Sequence, residues 1–161
     1  MSTFAQEWAR PLLVVHALSA AVLVASATHH LIWCRGYLRG RFGRVAQERL
    51  FAAVAALAYA VTFSLGLLLY PTYKLHVRAE YLDRADVGLS WVARLFDVKE
   101  MWMLVGVAIA GGLFYLSRRA HPRDQPRVAP LYLGLSVLLC LSVWGAALMG
   151  LTVVSYRGVG R

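Results

Sequence analysis

The chain has 161 residues, of which 60% are hydrophobic, and its mean hydropathy is +0.58. These values exclude an ordinary soluble domain and predict a single membrane domain over residues 1–161. We therefore expect the lipid bilayer to be one of its partners. The net charge is +9 at pH 7, but the basic residues fall in short loops between apolar segments. We therefore expect no nucleic acid partner, because such a partner requires a basic face on a soluble domain.

The first apolar segment, residues 11–33, is long enough to span a membrane. A helix rises about 1.5 Å per residue and the hydrocarbon core is about 30 Å thick. The sequence Ala25-Ser26-Ala27 also fits the cleavage motif of a signal peptide. However, the preceding residues include Glu7 and a single arginine, and cleavage would leave the basic loop that follows on the outer side. We therefore expect a retained helix.

A basic loop and a second span follow. The loop at residues 34–49 carries five arginines and one acid, Glu48. Because basic loops remain on the cytoplasmic side, we expect this loop to be cytoplasmic. The second span, residues 50–70, has small residues at every fourth position, which allow another helix to approach closely. We expect Pro71 to end this helix.

The outer connector, residues 71–97, is the longest polar segment of the chain. Together with Lys99 and Glu100, which follow it, the connector contains five basic and five acidic side chains, histidines excluded. Because it has no net charge, we expect it on the outer side. Residues 74–81 fit either an extended segment or one face of a helix. Residues 90–96 have the pattern of a short helix lying along the membrane surface.

The remaining elements complete four crossings. Asp97 and Glu100 have the spacing of a helix N-cap and its partner, so the third span is predicted to begin there and to cover residues 98–116. A second basic loop precedes the fourth span, residues 131–156. We expect an all-α fold: an integral membrane antiparallel four-helix bundle with a structured extracytoplasmic connector between helices 2 and 3. Both termini are then outside, and the basic loops suit a bacterial inner (plasma) membrane.

Histidines and methionines are the span residues that suit a cofactor. His16 and His30 are fourteen residues apart near one face of the first helix, a spacing that fits two stacked b-type haems. The second axial ligands would come from His76, Met101, Met103 or Met149, and the same side chains suit copper. In the alternative that we favour, His16 forms a hydrogen bond across the bundle, the methionines fill packing gaps, and His30 lies at the membrane interface.

A second candidate site is the polar cluster of the outer connector, which comprises Lys74, Arg78, Glu80, Asp83, Lys99 and Glu100. One interpretation is a lid that holds an acidic or quinone-like head group over the outer mouth of the bundle. The other is a solvated, self-neutralised loop. His121, in the second basic loop, is expected to be solvated.

The function follows mainly from what the sequence lacks. It contains no catalytic nucleophile, paired catalytic carboxylates, phosphate-binding loop or zinc motif, so we do not expect an enzyme. We expect a non-enzymatic subunit or scaffold of a membrane complex, bound to other membrane subunits or to copies of itself. The first alternative is an electron-transfer subunit that uses b-type haem, copper or quinone. The second is a small channel or transporter, which the absence of charge in the middle of the spans disfavours.

Overall fold

The computed structural model describes residues 8–156, and within this range four long helices account for most of the chain. No strand occurs among these residues, which confirms the prediction of an all-helical chain with four long apolar helices. Single 3-10 turns lie in the two arginine-rich loops. The long helices are α1 (Ala9–Cys34), α2 (Val45–Thr72), α3 (Ser90–Arg119) and α4 (Ala129–Tyr156).

Each of the four helices is long and apolar enough to cross a membrane. Large aliphatic side chains point away from the bundle on every helix, and Leu18, Leu57, Leu104 and Leu141 are each more than 60% exposed. An apolar surface of this extent is unfavourable in water but is well accommodated by lipid. The helix set is therefore consistent with a small multi-pass membrane protein.

The helices form an antiparallel ring, in which α1 and α3 each pack against both α2 and α4. Polar contacts also join the helices within this core. The Thr62 hydroxyl donates to Ser19 on α1 at 2.9 Å, and the Tyr59 hydroxyl donates to the carbonyl oxygen of Met103 on α3 at 3.0 Å. Because Gly106 has no side chain, the buried ring of Tyr59 lies directly against the backbone of α3. One cluster of buried hydrophobic residues includes members from all four helices.

The two ends of the ring differ in chemistry. At one end lie the two basic loops, residues 35–44 and 120–128, and we call this the arginine end. The other end carries the segment between α2 and α3, and we call it the connector end. Here the chain continues helically past α2, because residues Tyr73–Leu82 form a π-helical extension. The expected end of the helix at Pro71 is therefore wrong: Pro71 lies inside α2, and π-type pairing is one way in which a helix satisfies the backbone groups that a proline disturbs.

The start of the third helix also differs from the prediction. Residues 90–96 do not form a separate surface helix but are the first turns of α3, so Asp97 and Glu100 lie within that helix and do not cap it. Aromatic stacking explains why α3 already begins at Ser90. The ring centroids of Tyr73 and Phe96 lie 3.8 Å apart, and this contact fixes the π-helical extension against the first turns of α3. The non-helical connector is reduced to residues 83–89.

Candidate functional site

A cleft opens between α1, α2 and α3 towards the connector end, and we call it the side cleft. Its volume is about 260 Å³. Most of its wall is apolar or aromatic, with polar groups contributed by α1, α2 and α3. It is lined by His16, Thr62, Phe63, Gly66, Leu67, Tyr70, Phe96, Lys99, Glu100, Met103 and Leu104.

Besides Tyr70, three ionisable side chains line the side cleft: His16 from α1, and Lys99 and Glu100 from α3. The Nδ1 atom of His16 is buried and has no hydrogen-bond partner among the described residues. The Lys99 ammonium lies 4.7 Å from the centroid of the Phe96 ring, a cation-π distance. A buried polar atom without a partner is costly, particularly at membrane depth, and a bound ligand would relieve that cost.

The structure brings together only some of the residues predicted to bind a cofactor. His16 and Met103 line the side cleft. Met101, two residues earlier on α3, is 70% exposed on the outer surface of the bundle. His76 lies on the π-helical extension, and His30 lies at the arginine end. A single site containing all five residues is therefore absent from the described part of the chain.

The polar cluster predicted for the connector divides into two groups. Lys99 and Glu100 line the side cleft, whereas the other four residues lie on the π-helical extension or at its end and do not. Arg78 donates to Asp83 at 3.1 Å and to Asp97 at 2.6 Å, which ties the extension to α3. These partly exposed ion pairs hold the local geometry and contribute little to stability.

A local ion pair also orders the connector loop, residues 83–89. Arg84 donates from Nε and Nη2 to the two carboxylate oxygens of Asp86, at 3.0 and 2.7 Å. These hydrogen bonds lower the pKa of the Asp86 carboxyl below its ordinary value. Gly88 ends the turn with φ of 66°, a left-handed conformation that glycine adopts without strain.

A second polar cluster is fully buried at the arginine end, and we call it the Glu48 network. The Glu48 carboxylate, in the first turn of α2, accepts hydrogen bonds from His30 Nε2 at 2.8 Å, His121 Nε2 at 2.9 Å and the Tyr37 hydroxyl at 3.3 Å. The Tyr132 hydroxyl donates the fourth. A carboxylate offers about four lone-pair sites, so these donors satisfy an ionised Glu48 completely.

The hydrogen bonds also determine the protonation of one histidine in this network. His121 donates from Nε2 to Glu48, while its Nδ1 accepts the backbone N–H of Arg123 at 3.1 Å. His121 is therefore the neutral Nε2–H tautomer. The Nδ1 atom of His30 lies 2.8 Å from the Ser136 hydroxyl, which pairs with either the neutral or the charged ring. The network joins α1, α2, α4 and both basic loops.

The Glu48 network corrects three expectations from the sequence. The His30 side chain lies inside the bundle and not on its surface, and His121 is not solvated, because both side chains are almost completely buried. Glu48 is not a loop acid but a buried residue of α2. One signal in the sequence pointed towards this: Glu48 is the single acid among the five arginines of its segment, next to an apolar span.

The same contacts bear on the expected haem or copper site. Both ring nitrogens of His30 are occupied by protein partners, and the Met103 sulfur lies 3.3 Å from the Tyr59 hydroxyl. Within residues 8–156, no group of three or more His, Cys, Asp or Glu side chains is arranged to hold a metal ion. The stacked-haem arrangement through His16 and His30 would have to dismantle the Glu48 network.

Comparison with known proteins leaves the chain without a family assignment. No protein-family model, no curated protein and no solved structure matches it.

Proposed function

We propose that this chain is a non-enzymatic, multi-pass membrane subunit that binds a neutral lipophile with a hydrogen-bonding head group, of the quinone or quinol class, in the side cleft. One observation carries the proposal: the buried Nδ1 of His16 has no hydrogen-bond partner among residues 8–156, and His16 lines the same, mainly apolar cleft as Lys99 and Glu100. Small-molecule sites commonly combine apolar walls with a few convergent polar groups.

The charges in the cleft favour a neutral head group. A carboxylate would be attracted by Lys99 but repelled by Glu100, its neighbour on α3. A quinone carbonyl accepts a hydrogen bond from the Lys99 ammonium, and a quinol hydroxyl donates to the Glu100 carboxylate. His16 offers a further polar partner in either state. Each redox form of such a ligand therefore finds at least one hydrogen-bond partner in the cleft.

The cleft walls suit a flat ring. Tyr70 and Phe96 line the cleft with their rings stacked at 12° and 6.5 Å between centroids, so they offer aromatic surface to a planar head group. Leu67 and Leu104 extend the apolar wall, and both are more than half exposed at the outside of the bundle. An isoprenoid or alkyl tail would extend from the cleft along Leu67 and Leu104 into the lipid. The haem and copper forms of the electron-transfer alternative have no comparable support.

The affinity of the cleft for a quinone tests this proposal. Lys99→Met should weaken the binding of decylubiquinone at least tenfold, because a hydrogen bond from a charged donor is worth about 1.5–3 kcal/mol. The affinity is measured by quenching of tryptophan fluorescence in the purified full-length protein. The chain has only one other lysine, Lys74, which lies outside the cleft, so Lys74→Met is a matched control. Equal affinities for the two variants, or no binding by the unchanged protein, would reject the proposal.

The orientation in the membrane is part of the same proposal. Because basic loops stay in the cytoplasm, the arginine end would be cytoplasmic and the side cleft would open near the outer surface. In a Cys140→Ala background, Asp86→Cys should react with an impermeant maleimide in intact cells, whereas Arg41→Cys should react only after permeabilisation. Both positions are exposed in loops, and Cys34 is buried, so it should stay unlabelled. The reversed pattern would place the cleft near the cytoplasmic surface instead.

A further inference from the structure

A basic groove lies at the arginine end, between the start of α2, the end of α3 and the loop that follows α3. Its volume is about 470 Å³, and the bundle separates it from the side cleft. Half of its lining residues are arginines, and none is acidic. It is lined by Val45, Ala46, Arg49, Leu50, Arg118 and Arg123.

The positive charge of this groove is poorly neutralised by the protein. Among the described residues, the one carboxylate paired with a groove arginine is Asp124, at 3.6 Å from Nη2 of Arg49. The Nε atom of Arg49 is buried and has no hydrogen-bond partner there. Glu48 precedes Arg49 in the chain, but its oxygens are occupied by the donors of the Glu48 network. An anion in the groove would therefore meet donors that the protein leaves unused.

The start of α2 adds backbone donors to the same groove. The helix begins at Val45, its N-cap residue is Arg44, and no side chain of the described residues caps it. The first N–H groups of a helix lack intrahelical partners, and this end of a helix attracts anions. Val45 and Ala46, the first two residues of α2, line the groove directly. The uncapped helix end and the arginines thus favour the same kind of ligand.

We propose that this groove binds a phosphate ester. Guanidinium groups form paired hydrogen bonds with phosphate oxygens, and helix N-termini are common phosphate sites. The groove also has an apolar side formed by Val45, Ala46 and Leu50, and Leu50 is 59% exposed. That side fits the glycerol and acyl part of an anionic phospholipid, to which basic residues near a membrane surface are attracted. A free phosphate ester shares the head-group chemistry but makes no use of the apolar side.

Binding to three probes distinguishes these sources. The purified full-length protein, in neutral detergent at 0.15 M salt, is titrated with dihexanoylphosphatidylglycerol, inorganic phosphate and dihexanoylphosphatidylcholine, and binding is followed by thermophoresis. The test variant is Arg118→Gln/Arg123→Gln. The control is Arg39→Gln/Arg41→Gln, which removes the same charge from exposed residues at the same end but outside the groove.

We expect dihexanoylphosphatidylglycerol to bind and the test variant to lose at least about tenfold in affinity, while the control stays within about twofold of the unchanged protein. Inorganic phosphate binding as tightly, with the same loss in the test variant, would identify a free phosphate group as the source. An equal loss in both double variants would show attraction to total charge and would overturn the proposal. Phosphatidylcholine binding as tightly as phosphatidylglycerol, or no binding by any probe, would also overturn it.

Discussion

Replacing Glu48 with glutamine is expected to destabilise the protein by about 2–6 kcal/mol, because two buried donors lose their acceptor and each unsatisfied buried donor costs about 1–3 kcal/mol. Glutamine keeps the size of the side chain but exchanges one acceptor oxygen for an NH₂ group. That NH₂ would face either the donors on one carboxylate oxygen, His30 and Tyr132, or those on the other, His121 and Tyr37. Two donors would lose their acceptor within a site that excludes water.

The thermal unfolding midpoint of the purified protein in detergent, followed by circular dichroism, measures this loss. Glu80→Gln is the matched control, since the same change is made on the π-helical extension at a side chain that is 57% exposed, and the midpoint should hardly change. If Glu48→Gln unfolded at the midpoint of the control, the carboxylate would not be an ionised acceptor of four hydrogen bonds.

A local measurement separates damage at the arginine end from general loosening. Cys34 is buried beside the Glu48 network, with its Sγ 3.5 Å from the Ser136 hydroxyl. Its reaction with a maleimide should accelerate several-fold in Glu48→Gln at a temperature well below unfolding. The rate at Cys140, nearer the middle of α4, should be unchanged. Equal acceleration at both cysteines would indicate that the whole bundle, and not this end alone, depends on Glu48.

The four long helices were predictable because the requirement is local. A segment that crosses lipid must form all its backbone hydrogen bonds within itself and be apolar over about 20 residues. Both properties can be read from the sequence of that segment alone. The ends of the helices next to the connector were less predictable, because contacts between different helices determine where these helices end. The stacking of Tyr73 on Phe96 joins residues on two different helices, and no local pattern at Pro71 indicates it.

The side cleft was predictable in part. The depth of His16, Lys99, Glu100 and Met103 follows from their positions along the spans, so their common level could be inferred. The rotation of α3 about its axis could not. Two residues apart on a helix means about 200° of rotation, which is why Met103 faces the cleft while Met101 faces outwards.

The Glu48 network could not be predicted from spacing. Its donors lie 11 to 84 residues from Glu48 along the chain, and they meet only because the helix ring brings both basic loops to one end. A histidine in a basic loop and an acid beside arginines are ordinarily solvated residues. The Glu48 carboxylate can be buried only where all four donors surround it, and they do so only in the assembled bundle.

Gly106→Ala is the second substitution expected to have a large effect, with a loss of about 1–3 kcal/mol in stability from overpacking. A Cβ atom at this position would overlap the Tyr59 hydroxyl and lie 2.7 Å from the ring carbon Cζ. The ring cannot swing away easily, because only 1% of Tyr59 is exposed. Either α2 and α3 separate, or Tyr59 gives up its hydrogen bond to the Met103 carbonyl.

Gly106→Ala should also change the shape of the side cleft, because Met103 lines the cleft and the Tyr59 hydroxyl holds the backbone carbonyl of Met103. Gly106→Ala should therefore lower both the unfolding midpoint and the affinity for decylubiquinone. Gly111→Ala is the matched control on the same helix, since a Cβ there meets no described atom within 4 Å apart from its chain neighbours and the nearby backbone of α3. Adding Tyr59→Phe to Gly106→Ala should recover part of the stability, because it removes the overlapping hydroxyl but leaves the close ring carbon. A midpoint for Gly106→Ala equal to that of Gly111→Ala would mean that α2 and α3 do not pack as closely as the Tyr59 contact requires.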